Sequence, residues 1–135
     1  MQKRLLLLVS MLTLTICSMA QLSISTSMRE DGIWDNLNTK WDIYSKDSSG
    51  TFIEFNKELT MFKHTTATIT SNYKITSYEY DEKEVAYTMQ VVSDVGNEYE
   101  LIVDGLNELV IFFYYNDDEE YVMVRHLMKK TWFKE

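Results

Sequence analysis

Between Ser71 and Leu127 short runs rich in β-branched and aromatic residues alternate with polar turns. The runs are Asn72–Tyr80, Val85–Ser93, Glu98–Val103, Leu109–Tyr115 and Tyr121–Leu127. The turns between them are Asp81-Glu82-Lys83-Glu84, Asp94-Val95-Gly96-Asn97, Asp104-Gly105-Leu106-Asn107 and Asn116-Asp117-Asp118-Glu119-Glu120. Connections this short join only antiparallel neighbours, so the region predicts a β-meander.

Further strands are expected upstream. Gln21–Arg29 alternates loosely, with Leu22, Ile24 and Thr26 on one side, and reads as an edge strand or an N-terminal arm. Asp31 is placed to cap a short helix through Leu37, with Ile33, Trp34 and Leu37 on one face. Trp34 is then either a plug at the end of a sheet or a core residue beside the first strand. Lys40–Tyr44, Thr51–Phe55 and Leu59–His64 complete the set, separated by the turn Asp47-Ser48-Ser49-Gly50 and the tight loop Asn56-Lys57-Glu58. Thr65–Thr70 continues the last of these strands or forms an edge. The fold class expected is all-β. It is a single small antiparallel up-and-down barrel or curved meander of about eight strands, with a short N-terminal helix.

Met1–Ala20 reads as a signal peptide. Lys3 and Arg4 precede the apolar run from Leu5 to Ile16, and Ser18-Met19-Ala20 places small residues at the −3 and −1 positions of a cleavage site. The run is shorter than the roughly 20 apolar residues that span a bilayer. Cys17 follows Ile16, a bulky residue where a lipoprotein signal wants a small one. The mature chain expected, 21–135, is one domain, exported to the periplasm or beyond. The Ala20-Gln21 junction resembles that of exported proteins of the Bacteroidetes.

Cleavage there removes 20 of the 135 residues, which leaves 115, enough for one apolar core. The single cysteine leaves with the leader, so the mature chain has no disulfide and no thiol. Lys3 and Arg4 also leave, so 13 basic residues become 11 against 21 acidic ones, a net charge of −10. That balance argues against nucleic acid and anionic membrane surfaces as partners.

Alternation sets the buried faces. Tyr73 and Ile75, then Val85, Tyr87, Met89 and Val91, then Tyr99, Leu101 and Val103 are expected to face inward. Leu109–Tyr115 and Tyr121–Leu127 are apolar on both sides, so a second layer has to cover them. The candidates are the Asp31–Leu37 helix, the N-terminal arm, Trp132-Phe133 or another molecule, including a second copy of the chain docked through Leu109–Leu127. A four-residue turn at Asp104–Asn107 pairs Leu101 with Val110. A three-residue turn pairs it with Leu109 and flips every side chain.

Little in the chain points to catalysis. His64 and His126 are the only histidines and stand in no cluster with metal-ligand spacing. No serine lies in a Gly-x-Ser-x-Gly turn. The acidic residues from Asp81 to Glu84 and from Asp117 to Glu120 fall in turns, where they keep loops solvated. No cofactor is expected and the protein is read as no enzyme.

The meander of about eight short strands, with a tryptophan-bearing segment from Trp34 to Trp41 ahead of the first strand and the glycine of Gly32-Ile33-Trp34, resembles small members of the lipocalin-like (calycin) group. The resemblance implies a non-catalytic protein that holds a small apolar ligand inside a barrel. Trp34, Trp41, Tyr87, Met89 and Phe113 are the ligand-binding candidates. The alternative is a protein-interaction module. Small exported barrels that inhibit papain-like cysteine proteases, such as the staphostatins, are similar in size, strand content and lack of disulfides.

Overall fold

The structure is a computed structural model and describes residues 21–134; the expected signal peptide lies outside them. Nine strands follow in chain order: β1 Gln21–Asp35, β2 Lys40–Asp47, β3 Phe52–Phe55, β4 Met61–Thr65, β5 Thr70–Asp81, β6 Ala86–Ser93, β7 Glu98–Asp104, β8 Leu109–Tyr115 and β9 Tyr121–Lys134. From β3 onward each strand pairs antiparallel with the next, and β9 pairs back on β1 from Leu22↔Phe133 to Ile33↔Val122. Eight strands therefore close into an antiparallel barrel, and β2 is an extra strand attached to β1.

The long β1 serves two partners on one edge. Its first half pairs with β3 (Ser25↔Phe52) and its second half with β2 (Arg29↔Asp47 to Asp35↔Lys40). β2 and β3 are thus one strand broken at residues 48–51. Thr26 pins the break: its N–H donates to the Thr51 carbonyl at 2.9 Å, and its hydroxyl accepts the Thr51 N–H at 3.0 Å. Gly50 permits the approach, because a Cβ there would stand 2.6 Å from the Thr26 carbonyl oxygen.

The helix expected over Asp31–Leu37 is not formed; the chain there is the end of β1 and the turn at residues 36–39, and the described residues contain no helix. Asp35 organises that turn, its carboxylate accepting the N–H groups of Leu37 and Asn38 at 3.0 and 3.2 Å. Leu37 is 95% exposed, so the spacing of Ile33, Trp34 and Leu37 was no helical face. It came from a strand apolar on both sides running into a turn. Trp34 and Trp41 accordingly pair across the β1–β2 hairpin and do not precede the first strand.

The inner rows match the alternation. Met89, Leu101, Phe112 and Val124 lie side by side across β6 to β9, as do Tyr87, Val103, Val110 and His126. The turn between β7 and β8 has four residues, 105–108, and pairs Leu101 with Phe112. That is two residues beyond the expected Val110, which keeps the same face inward.

The two ends of the barrel differ. At one end the turns send apolar side chains into the core: Leu59 and Val85 are buried, and Leu106, with Phe133 from β9, packs against the same core. Leu59 and Val85 do so from left-handed backbone, φ 55° and 50°. This end is a floor. The other end carries the turns at 66–69, 94–97 and 116–120, which are polar, and stays open.

Part of the second apolar face of β8 and β9, around Phe113, Tyr121 and Met123, is covered by the chain's own β1–β2 hairpin. Trp41 packs on Phe113 and Tyr121, with ring centroids 5.8 and 5.5 Å apart. Met123, on the outer side of β9, is 2% exposed. Gly32 lets the layer close: a Cβ there would meet Ile43 Cδ1 at 2.9 Å and Met123 Cε at 3.2 Å.

Candidate ligand-binding site at the barrel mouth

The open end holds a cavity of about 290 Å³. That is the lower edge of the roughly 300–1,000 Å³ typical of small-molecule pockets. Its base is His64, Phe112 and His126, its walls are Tyr73, Tyr99 and Tyr114, and its lip carries Arg29, Thr66 and Ile69. Ile69 is 62% exposed.

Strand register assembles this set. Arg29 and Asp31 are two residues apart on β1, so both point inward. In the β1–β9 register Arg29 lies across from His126 and Asp31 across from Val124. The Arg29 guanidinium grips Asp31 with two hydrogen bonds, Nε to Oδ1 at 2.8 Å and Nη2 to Oδ2 at 2.9 Å. That grip raises the Arg29 pKa, and the pair brings no net charge to the mouth.

The two histidines are deeper. His64 stacks on Phe112 with ring centroids 5.6 Å apart and meets His126 edge-on at 5.0 Å. His64 Nε2 is 3.0 Å from the Thr51 hydroxyl. His126 is 1% exposed, and neither of its ring nitrogens has a hydrogen-bond partner. Burial first, and then the charge of Arg29, holds His64 down to about 4. Burial first, then His64, holds His126 down to about 3. Both rings are neutral at pH 7, so each offers one donor and one acceptor. Burial pushes the Tyr73 phenol up to about 12 and raises that of Tyr114, so these two phenols are neutral at pH 7.

The site is therefore an uncharged, aromatic-walled cup with hydrogen-bonding groups at its base. Among the described residues no group of three or more His, Asp, Glu or Cys is placed to hold a metal ion. No helix among them is long and apolar enough to cross a membrane.

The five residues expected at a ligand site are not gathered in one place. Tyr87 and Met89 are fully buried within the packed lower core. Trp34, Trp41 and Phe113 stand together on the outside of the barrel. Tyr73 and Tyr99 face inward as their alternation predicts, but they line the mouth and not only the core. Arg29, His64, Tyr114 and His126 are site residues that the sequence alone does not point to. The available signal was parity: Val124 and His126 alternate on one side of β9, and Arg29 and Asp31 on one side of β1.

The chain matches no protein-family model, no curated protein and no solved structure.

Proposed function

We propose that this is an exported, non-catalytic binding protein that holds a small ligand in the mouth of a lipocalin-like barrel. The observation that carries the reading is His126. A buried imidazole with two unpartnered nitrogens costs stability, about 1–3 kcal/mol for each group left unsatisfied. A cost of that size at the base of a cavity is what a ligand-facing group incurs. The tyrosine walls supply flat apolar surface, and the neutral histidines supply a donor and an acceptor. A compact, mostly apolar, uncharged compound with a polar atom at one end suits that lining.

The test is native mass spectrometry of the protein purified gently from its own source, beside the His126→Phe variant. The expected result is an added mass of small-molecule size on the wild type, lost on denaturation and absent from the variant. A bare wild-type monomer, or an adduct that the variant keeps, overturns the reading.

One observation favours the interaction-module alternative. Among the described residues β2 has β1 as its only neighbour in the sheet, so its other edge offers backbone groups to an extended segment of a partner, such as a secreted cysteine protease. A co-purified mass of protein size would support that reading.

A further inference from the structure

A second hollow, of about 570 Å³, lies outside the barrel at the same end as the mouth. Trp34, Trp41, Tyr115 and Tyr121 wall it, and Asn36, Glu119 and Glu120 edge it. The rings form a continuous arc. Trp34 and Trp41 are 5.4 Å apart, Trp41 and Tyr121 5.5 Å, and Tyr121 and Tyr115 4.9 Å between centroids. They are inclined to one another by 69°, 39° and 34°, so they make a curved basket and no flat platform.

We propose that this basket binds a weakly hydrated organic cation of the quaternary ammonium class. Aromatic faces carry negative quadrupole potential, and a cation within about 6 Å of several of them is attracted by each. Glu119 and Glu120 add formal negative charge at the rim. Among the described residues no Lys or Arg lines the hollow to offset it. Lys40 precedes Trp41 on β2, but it pairs with Asp35 in the hairpin register and points to the other side of the strand. An anion would meet both carboxylates. A quaternary ammonium is round, loses little hydration on entry and needs no hydrogen-bond acceptor.

The test titrates choline chloride into the full mature protein and follows tryptophan fluorescence and the indole N–H signals. Sodium chloride at equal ionic strength and 3,3-dimethyl-1-butanol, the neutral isostere of choline, are the controls. A saturable response to choline that neither control reproduces is the expected result. The Glu119→Gln/Glu120→Gln double variant keeps the shape and removes the charge, and it should weaken binding. Tyr115→Leu, at a ring that is 71% exposed, should weaken it about two- to fivefold. The Glu82→Gln/Glu84→Gln double variant, which removes the same charge from an exposed turn at the far end of the barrel, should bind choline as the wild type does. Equal responses to choline and the isostere, no saturable response, a Glu119→Gln/Glu120→Gln variant that binds like wild type, or an equal weakening in Glu82→Gln/Glu84→Gln each overturns the proposal.

Discussion

The imidazole of His126 meets that of His64 edge-on, with ring centroids 5.0 Å apart and planes at 88°. Neither is an imidazolium at neutral pH, because burial disfavours the charged ring. This makes the barrel acid-sensitive in a defined window. In the unfolded chain each histidine takes a proton near pH 6.5, whereas in the fold they resist protonation until about 4 and about 3. Below pH 6.5 the unfolded state binds more protons, so stability is full above that pH and falls as pH drops toward 4. The loss between pH 7 and pH 4.5 should be on the order of 2 kcal/mol per histidine. Urea midpoints across this range should show it. The His126→Phe variant should lose about half of the dependence, and carboxylate titration, common to both proteins, cancels in the comparison. An unchanged pH slope in the variant would count against the two-histidine account.

Two glycines make opposite demands. A methyl at Gly32 crowds only the ends of Ile43 and Met123, which can swing aside, and stands at an ordinary 3.4 Å from the Asp42 carbonyl oxygen. A methyl at Gly50 meets the backbone oxygen of Thr26, 2.6 Å away, at the point where β2 and β3 are held to β1. Gly50→Ala should therefore cost about 2 kcal/mol or more, and Gly32→Ala less than about 1 kcal/mol. Thermal or urea unfolding of the two variants decides the order. Equal costs would mean that the Thr26–Thr51 clasp yields freely.

Glu30 sits on the outside of β1 with little exposure; its Oε1 accepts a hydrogen bond from Arg125 Nε at 2.9 Å and forms an ion pair with Nη2 at 2.7 Å. Lys46 reaches its Oε2 only at 3.5 Å and is mostly exposed. Arg125→Ala leaves the carboxylate half-satisfied in a shielded place, so it should cost about 2 kcal/mol. Lys46→Ala should cost less than about 0.5 kcal/mol, as for other exposed pairs. Chemical denaturation at low and high salt separates the two. If Lys46→Ala costs as much as Arg125→Ala, long-range charge and not the fork-like contact holds β1 to β9.

The meander from β5 to β9 was legible because one side of β5, β6 and β7 is wet, and alternation then fixes the face. The β1–β2 hairpin was not. Ile33 and Trp34 are apolar on opposite sides of the strand, and Arg29 and Asp31 place charge on its inner side, so no alternation survived to mark a strand there. Tyr73 and Tyr99 were recognised as inward-facing, but parity does not tell which end of a barrel is open. That depends on Leu59 and Val85 closing the far end, a relation between turns distant in sequence. His126 gives no local sign of being unpartnered. Its isolation arises only when β9 is laid between β8 and β1.

The floor supplies a test in which the usual order of substitutions is reversed. Val85 is buried at 4% exposure in left-handed backbone, φ 50°, a conformation that L side chains disfavour by roughly 1–2 kcal/mol. Val85→Ala removes two carbons from the core, about 1.6 kcal/mol at about 0.8 kcal/mol each, and leaves most of the backbone strain in place. Val85→Gly removes three, about 2.4 kcal/mol, but relieves the strain, so the net cost is about 1 kcal/mol. Glycine should thus be the milder substitution here, although inside a strand it is the harsher one. Urea unfolding of the two variants at pH 7 measures the difference. If alanine proves the milder change, the turn before β6 relaxes out of the left-handed region, and the floor is held by apolar contact alone.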